Sequence, residues 1–153
     1  MFRGTTALTL DVKGRLAIPT KHRDALTMQD GSGEACGLVL TVNPVDNHLL
    51  LYQLPVFNEM QKHLMSLPNH EDIRQLQLMI VGMAEDVEMD SAGRILVSSV
   101  LRDEVGLDKD VVFVGQGNRF QVWSKNAYDE AKRAIKSNQQ NISNRLAEVG
   151  FSL

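Results

Sequence analysis

Two aspartates stand four residues before an arginine in two matching stretches of this sequence. Asp11 precedes Arg15 in DVKGR, and Asp90 precedes Arg94 in DSAGR. Two carboxylates supplied by two related segments could share one proton and act as general acid and base, as in aspartic proteases. An adjacent guanidinium, however, lowers the pKa of a carboxyl group and does not split a pair into an acid and a base. A small hydrolase using both aspartates is therefore the least favoured of three interpretations.

Five cations near the N-terminus form a second candidate site. Residues 1–26 contain two carboxylates and five cations, which are Arg3, Lys13, Arg15, Lys21 and Arg23. Residues 85–110 contain three cations and eight carboxylates, whereas the net charge of the whole chain is −3. Long cations on a turn that projects from a sheet can reach the phosphates or a groove of a nucleic acid. This charge difference predicts that the first segment, rather than the second, contacts an anionic partner.

Other chemistry has little support in the sequence. The histidines at 22, 48, 63 and 70 have no ligand spacing, and Cys36 is the single cysteine, which excludes an internal disulfide and fits a reducing compartment. No apolar run approaches the ~18 residues of a membrane span. The start, MFRGTTALTLD, reaches charge and a turn too early for a secretory signal. We expect a cytoplasmic protein without catalytic residues, metal, cofactor, small-molecule substrate or membrane partner.

Both Asp–Arg motifs belong to an internal repeat. LTLDVKGRLAIPTKHRDAL, from Leu8 to Leu26, aligns residue for residue with VEMDSAGRILVSSVLRDEV, from Val87 to Val105. Apolar residues alternate on both sides of each motif, which predicts a β-hairpin in each copy. Aspartate can bond the turn backbone, and glycine tolerates the positive φ that the turn needs. The turn-forming residues are therefore predicted to be Asp11, Gly14, Asp90, Gly93 and Arg94.

The repeat continues beyond the turns. LVLTV (38–42) corresponds to VVFVG (111–115), and HLLLYQL (48–54) corresponds to RFQVWSK (119–125), which predicts a second hairpin in each copy. The first copy is longer, and we place its extra residues in the Gly-rich stretch QDGSGEAC (29–36).

Helices are predicted after each hairpin. Short helices should start at Pro19–Thr20 and Ser98–Ser99, and longer ones are expected over 55–67, 69–82 (ended by Gly82), 126–135 and part of the tail 136–153. The predicted organisation is a first repeat (1–54), a helical connection (55–83), a second repeat (84–125) and a C-terminal helical segment (126–153). Neither copy alone offers much core, so two copies should share one about a pseudo-twofold axis.

These motifs carry a family resemblance. DVKGRLAIPTKHRDAL resembles the swapped-hairpin DNA-binding module of AbrB-type regulators, whose core is D-x-x-G-R-[apolar]-x-[apolar]-P. Two tandem copies, the start MFRG and the second-copy motif DSAGRILV together resemble the MraZ family of bacterial transcriptional regulators, from Met1 to about Ile135. The second copy departs from the module because Ser98 replaces the proline.

The resemblance implies a fold, a partner and an assembly. The fold would be α+β, with two tandem AbrB-like swapped-hairpin units forming a pseudo-twofold, β-barrel-like core flanked by helices. The partner would be double-stranded promoter DNA with direct repeats, bound by a ring of subunits on the nucleoid to repress the protein's own operon in the division and cell-wall gene cluster. The alternative is an antitoxin-like interaction module of the same class, with the tail at 136–153 binding another protein.

Overall fold

The structure is a computed structural model that describes residues 1–27 and 36–153. The predicted Gly-rich loop therefore lies outside the described residues, apart from the half-buried Cys36. The strands are β1 (Phe2–Thr9), β2 (Arg15–Ala17), β3 (Leu38–Asn43), β4 (His48–Gln53), β5 (Glu85–Val87), β6 (Arg94–Leu96), β7 (Asp110–Gly117) and β8 (Arg119–Ser124). The helices are α1 (Thr20–Leu26), α2 (Leu54–Met65), α3 (Glu71–Ile80), α4 (Ser99–Glu104), α5 (Lys125–Ser137) and α6 (Gln139–Val149).

The strands form two antiparallel sheets. The larger sheet has the order β1-β7-β8-β4-β3-β5, and β2 pairs with β6 in a separate two-stranded ribbon. The mixed α+β class predicted from the sequence is confirmed. The predicted barrel-like closure is not found, because β1 and β5 remain the two edges of the large sheet within the described part of the chain. A barrel would need a ladder between these edges.

The strand pairings predicted on either side of the two Asp–Arg motifs are wrong. β1 pairs with β7 along its whole length, β5 pairs with β3, and β2 pairs with β6, so each strand beside a turn finds its partner in the other repeat. The turns themselves form. In the first, Asp11 N donates to Arg15 O at 3.0 Å, and Gly14 N donates to Asp11 O at 3.0 Å. Pairing with the long β7 satisfies more backbone groups of β1 than the three residues of β2 could.

One apolar core contains residues of both repeats. Leu16 and Ile18 of the first repeat and Ile95 and Val97 of the second are fully buried in it. The hairpins β3–β4 and β7–β8 form as predicted and meet where β4 pairs with β8. A smaller apolar cluster lies under α2 and includes Phe57. The shared core explains how two small units bury enough apolar surface to fold together.

The helices lie close to their predicted positions. α1 starts after Pro19, and α4 is capped by Ser98, whose Oγ accepts from Leu101 N at 3.3 Å. α3 ends at Ile80, slightly before the predicted stop at Gly82. The tail forms α6, which ends at Gly150 with a φ of 70°. None of the helices in the described residues has the length and apolar character needed to cross a membrane.

Candidate functional site

The first turn, residues 11–15, is organised around one carboxylate. Asp11 Oδ1 accepts from Lys13 N at 2.9 Å and from Arg15 N at 2.8 Å, while its Oδ2 accepts from Arg15 Nε at 2.6 Å. Gly14 has a φ of 83°, which few other residues adopt without strain. The ion pair is only partly covered, since the side chain of Arg15 is 30% exposed. The turn thus holds the Arg15 side chain at Nε, on an accessible part of the surface.

The second turn, residues 90–94, has nearly the same geometry. Asp90 Oδ1 accepts from Ala92 N and Arg94 N, both at 2.9 Å, and its Oδ2 accepts from Arg94 Nε at 2.9 Å. Gly93 has a φ of 75°, and the side chain of Arg94 is 35% exposed. Asp11 and Gly14 thus lie in the first turn, and Asp90, Gly93 and Arg94 lie in the second.

The two aspartates lie in separate turns, and each has a lowered pKa. The hydrogen bond from the Arg15 backbone to Asp11, together with the Arg15 side chain, lowers the pKa of Asp11, and Arg94 lowers the pKa of Asp90 in the same way. The register of the β2–β6 ribbon puts the two turns at its opposite ends. A general acid needs a raised pKa. Each aspartate is therefore bound to the arginine of its own turn.

One face of the β2–β6 ribbon is accessible and carries both arginines. Arg15 lies opposite Leu96, and Ala17 lies opposite Arg94, while Leu16 and Ile95 point into the core. Arg15 and Arg94 are therefore diagonal neighbours on the same face of the ribbon. We call this surface, formed by Arg15, Ala17, Arg94 and Leu96, the ribbon face. Leu96 is 54% exposed on it.

Arg23 and Arg102 each contact the turn of the other repeat. Arg23 Nε donates to Ile18 O at 2.7 Å, and its guanidinium lies against Gly93 so closely that a Cβ there would clash. Arg102 Nε donates to Val97 O at 3.0 Å and lies against Gly14 in the same way. Arg23, predicted to bind DNA, is thus also part of the packing between repeats.

The remaining predicted cations are exposed but dispersed. Lys13 lies on the first turn beside Arg15, whereas Arg3 belongs to the edge strand β1. Lys21 lies on α1 with its Nζ near Gly4, the residue after Arg3. The structure thus brings Lys13 to Arg15 and Lys21 to β1, in two separate groups.

The basic segment (1–26) and the acidic segment (85–110) are not separated in the structure. Leu10 N donates to Lys109 O at 2.8 Å, and Asp108 and Arg102 line the same cleft as Asp11. Residues of the acidic segment therefore lie beside the first turn. The charge difference ranked the first segment above the second, and the sequence did not place Arg94 on the same face as Arg15. The identical spacing of the two Asp–Arg pairs was the available signal.

The histidines and Cys36 provide no metal site in the described residues. His22 packs against Phe2, Phe113 and Phe120, and His48 lies against Trp123. Burial lowers the pKa of both histidines, which favours their neutral form. These two residues fill the interior.

The fold and the ribbon face define a class: a duplicated α+β protein whose halves exchange strands and present two Asp–Arg turns. The family model described as MraZ protein, putative antitoxin-like, matches the chain over residues 1–78 and again over 80–149. The transcriptional regulator MraZ of Methylobacillus flagellatus is 47% identical over 138 residues, covering 90% of each chain. The transcriptional regulator MraZ of Nitrosomonas europaea is 48% identical, with 84% of each chain covered. That of Legionella pneumophila (strain Corby) is 39% identical, and the match covers 97% of this chain and 95% of the relative. The chain belongs to the MraZ family.

Proposed function

We propose that this protein is a sequence-specific, double-stranded DNA-binding transcriptional regulator that uses the ribbon face. The observation that carries this proposal is the pair of accessible arginines, Arg15 and Arg94, on one two-stranded ribbon. The major groove of B-DNA admits a two-stranded β-ribbon, and arginine can donate two hydrogen bonds to the edge of guanine. The exposed side chain of Leu96 suits contact with a thymine methyl group.

Each candidate cation has a proposed role. Arg15 reads a base edge, because the bond to Asp11 uses only its Nε and leaves the terminal nitrogens without a hydrogen-bond acceptor among the described residues. Lys13, Arg3 and Lys21 contact phosphates, which position the protein without reading sequence. Arg23 remains a proposed DNA contact from the sequence, in addition to its packing against Gly93.

We further propose that several copies act together as a ring on direct repeats in the promoter. A few phosphate contacts in each copy give weak and salt-dependent binding. Joining several copies raises the effective concentration of each remaining site without any new contact. Subunits related head to tail meet DNA in the same sense, which suits direct repeats rather than a palindrome.

The proposed regulatory role comes from the family resemblance. The protein would repress its own operon in the division and cell-wall gene cluster and would reside in the cytoplasm on the nucleoid. The family description also contains the words antitoxin-like. An interaction module of that kind would bind another protein through the tail and would not need the ribbon face to be basic.

A gel-shift titration with the DNA directly upstream of the protein's own gene tests the proposal. We expect retention at low salt, and a fall in affinity with a log–log slope of about −0.9 for each phosphate contact. DNA of the same length and composition with its repeats scrambled is the matched control. Equal affinity for both DNAs, or no binding at low salt, would contradict sequence-specific regulation.

A further inference from the structure

The first Asp–Arg turn is in contact with a side chain of the other repeat, Arg102 of α4. The Arg102 guanidinium lies against Gly14, where an added Cβ would be 3.0 Å from both its Nε and its Cζ. Arg102 Nε also donates to Val97 O at 3.0 Å, and the side chain is half-buried. Arg102 thus occupies the space that Gly14, which has no side chain, leaves open.

The backbone of Val97 completes this contact. Val97 N donates to Gly14 O at 2.9 Å, while Val97 O accepts from Arg102 Nε. The same carbonyl oxygen would be 2.9 Å from a Cβ at Gly14, and Val97 is fully buried. Gly14 is therefore held by buried backbone of the second repeat and by a guanidinium that is bonded to that backbone.

The helix that carries Arg102 is anchored in the core. Leu101 and Val105 of the second repeat are both buried in the core that the two repeats share. Arg102 O accepts from Leu107 N at 2.8 Å, which fixes the chain just after α4. A functional side chain is held precisely when its support is packed and hydrogen-bonded. Arg102 therefore meets Gly14 from a rigid base.

The tip of the first turn projects from the protein. Val12 is fully exposed, and Lys13 is exposed as well. Within the turn, Gly14 N donates to Asp11 O, and Asp11 binds the Arg15 side chain. These internal bonds set the shape of the turn but not its placement on the ribbon. Because Gly14 directly precedes Arg15, a shift of Gly14 would move the point at which the Arg15 side chain leaves the ribbon.

We propose that Arg102 is a positioning residue for DNA recognition, which holds Arg15 in the orientation that reads a base edge. This inference rests on the proposed function of the ribbon face. A base contact depends on the direction of the hydrogen bonds, whereas phosphate contacts carry no sequence information. Loss of Arg102 should therefore lower the preference for promoter DNA more than it lowers the affinity for DNA in general.

The second turn provides an internal comparison, because it has the same support from the first repeat. Arg23 lies against Gly93 and donates to Ile18 O at 2.7 Å, and Ile18 N donates to Gly93 O at 2.9 Å. If each arginine holds the turn of the other repeat, the removal of one arginine should loosen one turn and leave the other unchanged.

Hydrogen–deuterium exchange of the full chain, measured by mass spectrometry, tests this support without DNA. We expect Arg102→Ala to raise the exchange rate of the amides in residues 11–15 about tenfold, because a hydrogen bond from a charged group is lost. Residues 90–94 should exchange as in the wild type. Arg23→Ala should show the reverse pattern. Equal exchange rates in residues 11–15 of the wild type and Arg102→Ala would overturn the inference.

Fluorescence anisotropy with promoter DNA and with scrambled DNA tests the effect on recognition. Arg102→Ala and Arg102→Lys should each lower the ratio of the two affinities by about 5-fold or more, which is the lower limit for loss of one base contact. Lysine keeps the charge but lacks the planar group that lies against Gly14. Arg145→Ala, which removes an exposed cation of α6, is the control for lost charge and should leave the ratio unchanged.

Circular dichroism checks that each variant is folded. If Arg102→Ala unfolds, Arg102→Lys supplies the comparison, because it retains the charge and most of the aliphatic part of the side chain. A promoter preference in folded Arg102→Lys equal to that of the wild type would show that charge alone matters, and it would overturn the inference.

The salt dependence separates positioning from direct contact. A log–log slope that is smaller by about 0.9 in Arg102→Ala would show that Arg102 itself contacts a phosphate, and the positioning role would be wrong. A wild type without preference for the promoter overturns the proposed function and this inference with it. A wild type with that preference, together with an Arg102→Ala variant that retains it, overturns this inference alone.

Discussion

Replacing Arg15 by alanine tests the ribbon face, and Arg94→Ala is its structural match. Each substitution removes one partly exposed ion pair, with Nε–Oδ2 distances of 2.6 Å and 2.9 Å. Such pairs contribute only ~0–1 kcal/mol to stability. In each variant the aspartate still accepts two backbone hydrogen bonds, so the turn should persist. The thermal midpoints of the two variants should therefore be nearly equal and close to that of the wild type.

The two variants should differ on DNA. Loss of a base contact by Arg15 should cost ~1–3 kcal/mol for each bound copy, which corresponds to about 5–150-fold in affinity. On a promoter that engages two copies, this factor is squared, which gives a loss of about 25- to 20,000-fold in affinity. Arg94→Ala should reduce the affinity for DNA less. The second turn has the neutral Ala92 at the position where the first turn has the cation Lys13, so it is less suited to an anionic partner.

Fluorescence anisotropy on promoter DNA, at two salt concentrations, measures both affinities. Arg15→Lys adds a test of the contact, because lysine keeps the charge but lacks the rigid planar fork with which arginine binds the guanine edge. We expect it to retain non-specific binding and to lose preference for the promoter. Equal losses from Arg15→Ala and Arg94→Ala would refute the ranking of the two turns. A loss that accompanies unfolding of Arg15→Ala alone would refute the reading of Arg15 as a DNA contact.

Three further predictions concern the fold. Gly93→Ala should lower the free energy of unfolding by at least ~1–2 kcal/mol, because the new Cβ would meet the Arg23 guanidinium at a residue with a positive φ. Gly106→Ala is the control, because Gly106 also has a positive φ, of 63°, but has no neighbouring atom that a Cβ would meet. Equal thermal midpoints for the two variants would contradict the clash with Arg23. Leu16→Ala should lower the free energy of unfolding in urea by ~2–5 kcal/mol, because Leu16 is fully buried. Leu96 is exposed, so a similar loss from Leu96→Ala would show that the buried and exposed faces of the ribbon are misassigned. Because burial lowers the folded pKa of His48, stability should fall as pH drops below the unfolded value near 6.5; a flat urea midpoint from pH 7 to pH 5.5 would contradict this.

Local chemistry made part of this structure predictable. The Asp-x-x-Gly-Arg spacing predicts both turns, because a carboxylate that accepts two backbone hydrogen bonds and a glycine at positive φ are short-range features. The alternation in LVLTV and HLLLYQL predicts β3 and β4 for the same reason. Helical spacing identified α2 and α5, whose apolar sides pack on the sheet.

The partners of these elements were not predictable from the same patterns. A strand with period-two alternation looks the same whether it pairs with its neighbour in sequence or with a strand of the other repeat. β1 therefore read as half of a local hairpin, although it pairs with β7. The contact of Arg102 with Gly14 joins residues of different repeats, and no local pattern predicts it. The charge count by segment could not show that Leu10 of the basic segment contacts Lys109 of the acidic one, because the two residues are distant in the chain.

Strand exchange also makes the ribbon face a property of both repeats together. Ile18 N donates to Gly93 O and Val97 N donates to Gly14 O, both at 2.9 Å, so each turn is fixed by backbone of the other repeat. The relative placement of the two arginines is then set by a ladder of paired residues with a buried underside, rather than by a flexible connection. A contact surface held on rigid elements loses less conformational entropy on binding. Duplication within one chain thus gives this protein a two-arginine surface that neither repeat could form alone.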